Sequence, residues 1–308
     1  MSTVTDGVRA GRVVLLGKHG FVARALGRHL QSLGIPVEAL GKDDVDLTQA
    51  GAVEALGAQL RETDAVVVTA TLTPDKGRDV RTLMKNLTMA AHLCDALDRR
   101  PCAHVVYLSS DAVYTADEMG LTEASAREPV DLYAVMHTAR EMMLGSVLAA
   151  RQVPYCVLRP VNIYGHGDTH NSYGPNRFIR QAFAERKIAV FGKGEERRCH
   201  LYIADAVRLI GASLTRRLTG TFNMASPEVV TFMDVVEMIR AACPFPIDVE
   251  FKPRSAPGAV THRTYAVGPL RDAVPGFPFT PMPEAIRDYA RMVQDARDDR
   301  AAAGGGRG

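Results

Sequence analysis

The 308-residue chain has no tryptophan, and aromatic residues make up only 6% of it. It has no run of about 18 apolar residues, so no membrane-spanning helix is expected. Its five cysteines include no C-x-x-C pair, which argues against a zinc site and against a disulfide framework. The first ten residues lack the apolar stretch of a secretory signal, so we expect a cytoplasmic protein.

The chain also lacks a large excess of positive or negative charge. The chain has 37 Lys and Arg against 35 Asp and Glu, a net charge of +2, which predicts neither nucleic-acid binding nor membrane attachment. Hydrophobic residues reach 46%, which is ordinary usage for a globular protein. The length therefore predicts one large or two medium domains with a well-buried core.

Short apolar runs alternate with helical patterns in the first half of the chain. The apolar runs cover residues 12–17, 65–68, 104–108 and 155–158. Apolar residues at helical spacing cover residues 21–33, 80–97 and 132–150. Strands buried on both faces and alternating with helices predict an α/β fold with a doubly wound parallel sheet.

The pattern changes after Pro160. Residues 162–176 are rich in Gly, His and Asn, and we expect this long loop to contact a ligand. Pro and Gly are frequent again over residues 244–283, before a last helix predicted from Pro283 to about Ala296. We expect three parts: a dinucleotide-binding domain (1–160 and 201–226), a smaller α+β substrate domain (161–200 and 227–296) and a disordered tail (297–308).

The first predicted strand is followed by the pattern Gly-x-x-Gly-x-x-Ala over residues 17–23. Glycines in such a turn let the backbone approach a pyrophosphate, which the N-terminus of the following helix attracts. The strand, turn and helix context predicts a dinucleotide site. Its expected contacts are Gly17, His19, Gly20, Phe21 and Val22.

The second strand, near residues 36–40, is followed by Gly41-Lys42-Asp43. An acidic residue at the strand end would favour NAD by bonding the ribose hydroxyls. Here Lys42 offers a positive charge that suits a 2′-phosphate, so NADP is favoured over NAD. The alternative is that Lys42 is a solvated turn residue.

Five further motifs follow in order: Ser-Ser-Asp-Ala-Val-Tyr (109–114), Tyr-Ala-Val-Met-His (133–137), Arg-Pro-Val-Asn-Ile-Tyr-Gly (159–165), Val-Phe-Gly-Lys-Gly-Glu-Glu-Arg-Arg (190–198) and Gly-Thr-Phe-Asn-Met-Ala (220–225). With the glycine turn, they resemble the extended short-chain dehydrogenases/reductases of the NAD-dependent epimerase/dehydratase family, over about residues 12–290. Most members of that family act on nucleotide-linked sugars. The resemblance implies a Rossmann fold, a nicotinamide cofactor and a homodimer formed through helices 80–97 and 132–150.

The resemblance also implies roles for single residues. Tyr133 would be the general acid or base for a sugar oxygen, and Ser110 would hydrogen-bond the same oxygen. Ala70 and Asn86 would be further cofactor contacts. The sugar nucleotide would be bound by Asn162, Asn176 and Arg198. A local excess of seven basic over three acidic residues across 176–200 suits a diphosphate.

One departure from the family lies four residues after Tyr133, where lysine is usual and this chain has His137. Histidine is mostly neutral at pH 7 unless its charged form is stabilised. Glu141 is four residues further along the same helix face, so we hypothesise that it favours an imidazolium that replaces the lysine. The alternative is that His137 only contacts the cofactor ribose and the enzyme is slow or inactive.

The pair Asp111-Ala112 narrows the reaction. Related 4,6-dehydratases have an Asp-Glu pair there, and Ala112 cannot accept a proton. The expected reaction is therefore hydride transfer at a ring carbon, C4, by a nucleotide-sugar epimerase or 4-ketoreductase. Asp111 is either a catalytic residue or a turn cap. A protein of another class, a catalytically impaired nucleotide-binding sensor or assembly partner, stays open.

Three histidines raise the question of a metal site. His166 and His170 lie in the glycine-rich loop without helical spacing, and His19 lies in the first turn. This pattern does not predict a metal site.

Overall fold

The computed structural model describes residues 11–115, 118–254 and 260–304, with side chains up to residue 299. The strands are β1 (Val13–Leu16), β2 (Val37–Leu40), β3 (Ala65–Val68), β4 (His104–Leu108), β5 (Tyr155–Pro160), β6 (Ile163–Tyr164), β7 (Lys187–Phe191), β8 (Arg197–Cys199), β9 (Leu201–Tyr202), β10 (Gly220–Met224), β11 (Val229–Thr231) and β12 (Asp248–Lys252). The helices are α1 (Phe21–Ser32), α2 (Ala52–Gln59), α3 (Val80–Arg99), α4 (Leu132–Ala150), α5 (Pro175–Glu185), α6 (Ile203–Thr215), α7 (Phe232–Ala242), α8 (Gly268–Ala273) and α9 (Met282–Gly304), and a short 3-10 helix covers Asp111–Val113.

Six parallel strands form the main sheet, in the order β10-β5-β4-β3-β1-β2. β1 pairs with β2 on one side and with β3 on the other, so the winding of the chain reverses there. Ligands of open α/β sheets bind outside the carboxyl ends of the strands at such a reversal. The predicted doubly wound α/β fold is confirmed.

Alternate residues of each central strand face two different cores. Val13 and Leu15 of β1 pack with α1 and α6, whereas Val14 and Leu16 pack with α2, α3 and α4. Because side chains alternate along a strand, a strand covered on both faces must be apolar throughout. This explains the continuous apolar runs in the sequence.

The segment 201–226 returns to the main sheet, as expected. It supplies α6, which packs against α1, and β10, which pairs with β5 at the edge. The other strands form pairs outside the main sheet: β6 with β9, β7 with β12, and β8 with β11. The division into two domains stays a prediction.

The end of the chain requires a correction. The prediction of a disordered tail over residues 297–308 is wrong for residues 297–304, which continue α9. Arginine and alanine in this stretch favour helix, and Gln294 donates a hydrogen bond to Asp298 at 2.8 Å one turn further on. Residues 305–308 lie outside the described residues. Across the described ranges, no helix is long and apolar enough to cross a membrane.

Candidate active site

The glycine turn after β1 leaves no room for a side chain. Gly17 has φ of 105°, and a Cβ there would lie 2.7 Å from Thr69 Oγ1 and 2.9 Å from Ala70 N. Gly20 caps α1 without a side-chain hydrogen bond, and the first turn of α1 has no acidic residue. The first N–H groups of this helix therefore have no side-chain cap and suit a pyrophosphate. The shape of the turn fits the predicted dinucleotide.

Charges of both signs lie beside this turn, after β2. The Lys42 side chain is 79% exposed and lies 3.7 Å from Asp46. Asp43 is equally exposed and lies 3.3 Å from His19 Nε2. The position expected to select between NAD and NADP thus offers an accessible ammonium and an accessible carboxylate.

The loop after β3 forms a wall of the same crevice. Asn86 is buried, and its amide accepts from Leu72 N at 2.9 Å and donates to Leu72 O at 3.0 Å. The Ala70 carbonyl accepts a hydrogen bond from Arg140 at 3.0 Å. Both residues fix the shape of the loop, and their predicted cofactor contacts stay predictions.

Tyr133 and Ser110 meet at the start of α4. Asp131 caps this helix, which places Tyr133 in its first turn. Ser110 caps the short 3-10 helix after β4 and hydrogen-bonds the phenol of Tyr133. Burial raises the pKa of Tyr133 to about 12, with Asp111 acting in the same direction and Ser110 opposing it. The phenol is therefore protonated at neutral pH.

His137 lies one turn further along α4 and is 2% exposed. Its ring packs edge-on against Tyr133, with ring centroids 4.6 Å apart, and its Nδ1 lies 2.6 Å from the hydroxyl of Tyr107. Burial lowers the pKa of His137 well below its usual value, and the charge of Arg140 lowers it further. The hypothesis of an imidazolium at position 137 is wrong, because a buried, partly unpaired ring beside a cation stays neutral.

Glu141 has other partners than His137. It accepts from Ser109 Oγ at 2.6 Å and from Arg159, at 2.9 Å from Nε and 2.6 Å from Nη2. The guanidinium of Arg159 in β5 donates two hydrogen bonds to the Glu141 carboxylate, so it is a stronger partner than the imidazole of His137 one helical turn away. The predicted ladder of Tyr133, His137 and Glu141 shares one helix face but is not a chain of hydrogen bonds.

Arg140 is a site residue that the sequence analysis missed. It is fully buried, and it donates to Thr71 Oγ1 at 2.9 Å as well as to Ala70 O. Its guanidinium lies 5.3 Å from the centre of the Tyr107 ring. The side chain thus links α4 to the loop that borders the glycine turn.

A second part of the crevice is a cavity of about 630 Å³. Two of the three predicted substrate residues, Asn162 and Arg198, line it. Asn176 does not, because it is 1% exposed and its amide bonds Gly165 N and Ile163 O, each at 3.1 Å. Asn176 therefore shapes the backbone after β6, and its predicted substrate contact stays a prediction.

Other lining residues come from parts of the chain that carry no local pattern. Arg254 and Arg263 join Arg198, which is held by Thr261 at 2.7 and 3.0 Å. Of the seven basic residues between 176 and 200, Arg198 is the one at this cavity. Most of the arginines at the cavity therefore come from distant parts of the chain, and two of them have carboxylate partners: Arg254 pairs with Glu195 and Glu196, and Arg263 lies 3.8 Å from Asp111. The predicted diphosphate contact stays a prediction.

His200 also lines the cavity. Both of its ring nitrogens lack a hydrogen-bond partner among the described residues, and burial lowers its pKa to about 3. A neutral, unpaired imidazole at a cavity wall is available to a polar ligand group.

Asp111 lies between Tyr133 and the cavity. Its carboxylate accepts from the hydroxyl of Tyr265, and its carbonyl accepts from Arg263 at 2.5 Å. Ser110 rather than Asp111 caps the short helix, so the carboxylate is not the turn cap considered above. Its position at the cavity is consistent with the predicted catalytic role.

Comparison with known proteins now decides the family. The family model described as the NAD dependent epimerase/dehydratase family matches residues 13–225. The chain belongs to this family. Its members and relatives are nicotinamide-dependent enzymes, and the extended short-chain dehydrogenase/reductase resemblance is confirmed. A dTDP-4-dehydro-6-deoxy-D-allose reductase of Streptomyces bikiniensis is 26% identical over 293 residues, covering 81% of this chain and 87% of the relative.

Solved structures of similar fold agree with this epimerase/dehydratase assignment. A GDP-L-fucose synthetase of Naegleria fowleri bound to NADP aligns with a TM-score of 0.81 and 17% identity, covering 96% of this chain and 99% of that one. MoeE5 in complex with UDP-glucose and NAD aligns with a TM-score of 0.78 and 21% identity, covering 93% and 99%. At these identities the likeness concerns the fold.

Two of the three histidines considered for a metal lie beside carboxylates. His170 lies 3.1 Å from Asp75, and His19 lies beside Asp43. Within the part of the chain that the structure describes, no three His, Cys, Asp or Glu side chains are close enough to hold a metal ion.

Proposed function

We propose that this protein reduces the 4-keto group of a nucleoside-diphosphate sugar with NADPH. The observation that carries the proposal is the half-buried Tyr133 phenol, which is hydrogen-bonded to Ser110, lies near Asp111 and is protonated at neutral pH. Tyr133 lines a small pocket with Leu72 of the loop after β3 and Asn86 of α3, and Asp111, whose charge acts on Tyr133, lines the arginine-lined cavity. We propose that the nicotinamide and the sugar meet at this phenol.

The protonated phenol can serve as the acid of a ketone reduction. A ketone reductase needs an acid that gives a proton to the carbonyl oxygen as hydride arrives, whereas an epimerase must first remove a proton from a sugar hydroxyl. The charge of Asp111 raises the pKa of the Tyr133 phenol. The neutral His137 places no positive charge beside the phenol that would favour its deprotonation. The reductase named above, which aligns over most of this chain, supports the same direction.

The residues divide the reaction between them. When bound, NADPH supplies the hydride. Ser110 Oγ and Tyr133 Oη would hold the carbonyl oxygen between them, and Tyr133 would donate its proton to that oxygen as it becomes a hydroxyl. Ala112 has no carboxylate to remove a ring proton, so no dehydration accompanies the reduction and the product is the alcohol.

The arginines of the cavity support a diphosphate-linked substrate. Arg198, Arg254 and Arg263 offer planar guanidinium groups, which bind phosphate oxygens in pairs. Asn162 and His200 add neutral hydrogen-bonding groups on the same wall. The nucleotide base and the identity of the sugar stay outside the proposal.

NADP is proposed over NAD on the exposed Lys42 ammonium, which lies beside the glycine turn where a 2′-phosphate is expected. The solved relatives bind NADP in one case and NAD in the other.

A homodimer is proposed through α3 and α4. These helices pack against each other, and Val80, Met84 and Met142 on them are more than half exposed. Exposed apolar side chains on a helix pair are typical of a self-association face. Light scattering on wild type and on Met84→Lys tests this, with a shift to monomer expected for the variant. The cytoplasmic location stays a prediction.

The decisive experiment measures NADPH consumption with a dTDP-4-keto-6-deoxyhexose. We expect turnover by wild type, a loss of about 10²- to 10⁴-fold in kcat for Tyr133→Phe, and unchanged NADPH affinity in that variant. Tyr155→Phe is the matched control, because it removes a buried hydroxyl without a partner in the described part of the chain.

Two results would overturn the proposal. Product formation from a nucleotide hexose without added reduced cofactor would identify an epimerase. Tight NADPH binding without turnover on any nucleotide sugar would identify the non-catalytic binding protein instead.

A further inference from the structure

The helix of Tyr133 carries a buried cation that the proposed reaction has not yet used. Tyr133, His137 and Arg140 are spaced by four and three residues, so they lie on one face of α4. The three are also connected through β4: Arg140 lies over the ring of Tyr107, Tyr107 bonds His137, and His137 packs on Tyr133.

Arg140 differs from the other fully buried arginine nearby. Arg159 is neutralised by the two oxygens of Glu141. Arg140 donates to the hydroxyl of Thr71, the carbonyl of Ala70 and, at 3.9 Å, the sulfur of Met136. All three partners are neutral, and among the described residues no carboxylate is within ion-pair distance of Arg140. A guanidinium is a permanent cation, and burying one without an anion is costly. The charge that remains acts strongly on its surroundings, because little water screens it.

The proposed reaction creates a charge that needs this cation. When Tyr133 gives its proton to the carbonyl oxygen, its own oxygen becomes negative inside the crevice. His137 is neutral, so it cannot balance that charge. The other groups facing the phenol carry no positive charge. Two are anions, Asp111 of the short helix and Asp131 at the start of α4, and two are neutral, Ser110 and Tyr107 of β4. Asp111 has its own cationic partner, Arg263.

We propose that Arg140 stabilises the phenolate that develops on Tyr133, and so supplies from two turns along the helix the positive charge that His137 does not. Arg140 is in this sense a positioning residue that acts through Tyr133. The inference rests on the proposed function, since it assumes that Tyr133 loses a proton during the reaction.

The expected size follows from helix geometry. Seven residues along a helix span about 10 Å. A unit positive charge at about 10 Å, in a medium of effective dielectric constant near 20, lowers the titration midpoint of a phenol by about one pH unit. At a given pH this raises the ratio of phenolate to phenol about tenfold.

The first test titrates Tyr133 itself and needs no turnover. Fluorotyrosine-labelled protein is followed by ¹⁹F NMR, because fluorination makes the phenol more acidic, and Tyr133→Phe assigns the resonance. We expect Arg140→Met to raise the midpoint of Tyr133 by about one pH unit. Arg140→Lys should move it less than half as far, since the charge is kept. Arg151→Met, which removes an exposed arginine paired with Asp98 at the far end of α4, should leave it unchanged.

The second test moves the positive charge from position 140 to position 137. Arg140→Met should lower kcat about tenfold, and His137→Lys combined with Arg140→Met should regain most of it. A purely structural role for Arg140, holding the loop at Ala70, would not be rescued by a lysine at position 137. Thermal melting and NADPH affinity of each variant show whether the fold and the loop are intact.

The outcomes separate the two proposals. An unchanged midpoint in folded Arg140→Met overturns the role of Arg140, whether or not the wild type turns over. Absence of turnover in wild type overturns the proposed function, while the NMR midpoints still decide whether Arg140 acts on Tyr133.

Discussion

The ion pair of Glu141 and Arg159 allows a quantitative test of how the site is supported. Both side chains are almost fully buried, at 6% and 3% exposure, and they share two hydrogen bonds of 2.9 and 2.6 Å. Glu141→Gln keeps the shape and an acceptor for Ser109, but it leaves the guanidinium without a counter-charge. Breaking a buried pair in this way costs about 3–5 kcal/mol, and we expect the lower end.

The corresponding shift in melting temperature can be worked out. An unfolding entropy of about 2.1 cal/mol/K per residue gives about 0.6 kcal/mol/K for a chain of this length, so about 3 kcal/mol lowers Tm by about 5 °C. Glu54→Gln is the matched control: its pair with Arg99 is just as short, at 2.8 Å, but both side chains are more than 60% exposed. Solvent screens such an exposed pair, so Glu54→Gln should leave Tm almost unchanged.

Differential scanning calorimetry of both variants is the assay. Equal Tm values for Glu141→Gln and Glu54→Gln would refute the reasoning that burial sets the cost. Because Ser109 precedes Ser110, we also expect Glu141→Gln to lower kcat at temperatures where the variant is fully folded.

Three further outcomes are expected. Gly17→Ala should destabilise the fold by about 1–2 kcal/mol, because Gly17 has a positive φ, and should weaken NADPH binding more than tenfold. Gly27→Ala is the control: a Cβ there meets nothing closer than 3.9 Å, so this variant should be neutral or stabilising. Calorimetry measures the stability of both variants, and fluorescence titration measures their NADPH affinity. Lys42→Ala should weaken NADPH about tenfold and NADH less than about twofold; equal losses would remove the case for NADP. Burial raises the pKa of Asp75, but its hydrogen bonds and the neighbouring His170 outweigh burial and lower it to about 2. Its stabilising effect is thus present above about pH 4 and lost toward pH 2, so urea unfolding of wild type and Asp75→Asn should converge over that range.

Local patterns predicted the main sheet well. β1, β3 and β4 are buried almost throughout and their sequences are mostly apolar, whereas β2 at the edge of the sheet is partly exposed and contains Glu38. The bounds of α4 agree with the predicted 132–150. The pairing of Ser110 with Tyr133 came from a family resemblance, and the structure brings the two together.

The errors share a physical cause. Spacing along a helix showed that His137 and Glu141 lie on one face, but it could not show that Arg159 of β5 takes both oxygens of Glu141. In the same way, spacing could not show that the amide of Asn176 donates to the carbonyl of Ile163, which is thirteen residues away in sequence.

Arg263 and Arg140 were missed for a related reason. Arg263 lies in a stretch without helix or strand periodicity, and Arg140 reads as an ordinary helix residue. Their partners, Asp111 and Ala70, are distant in sequence, and only tertiary structure brings them close.

The position of β10 has a consequence for how the chain folds during synthesis. β5 ends at Pro160, but its outer neighbour is not made until residues 220–224 have emerged. Until then β5 is an open edge of a hydrophobic sheet, and Tyr114 lacks Asn223, to which its hydroxyl donates at 2.5 Å. A nascent or truncated chain that stops before Gly220 therefore exposes unpaired backbone groups of β5, which favour aggregation. During synthesis, the chain depends most on a chaperone between the completion of β5 and the emergence of β10.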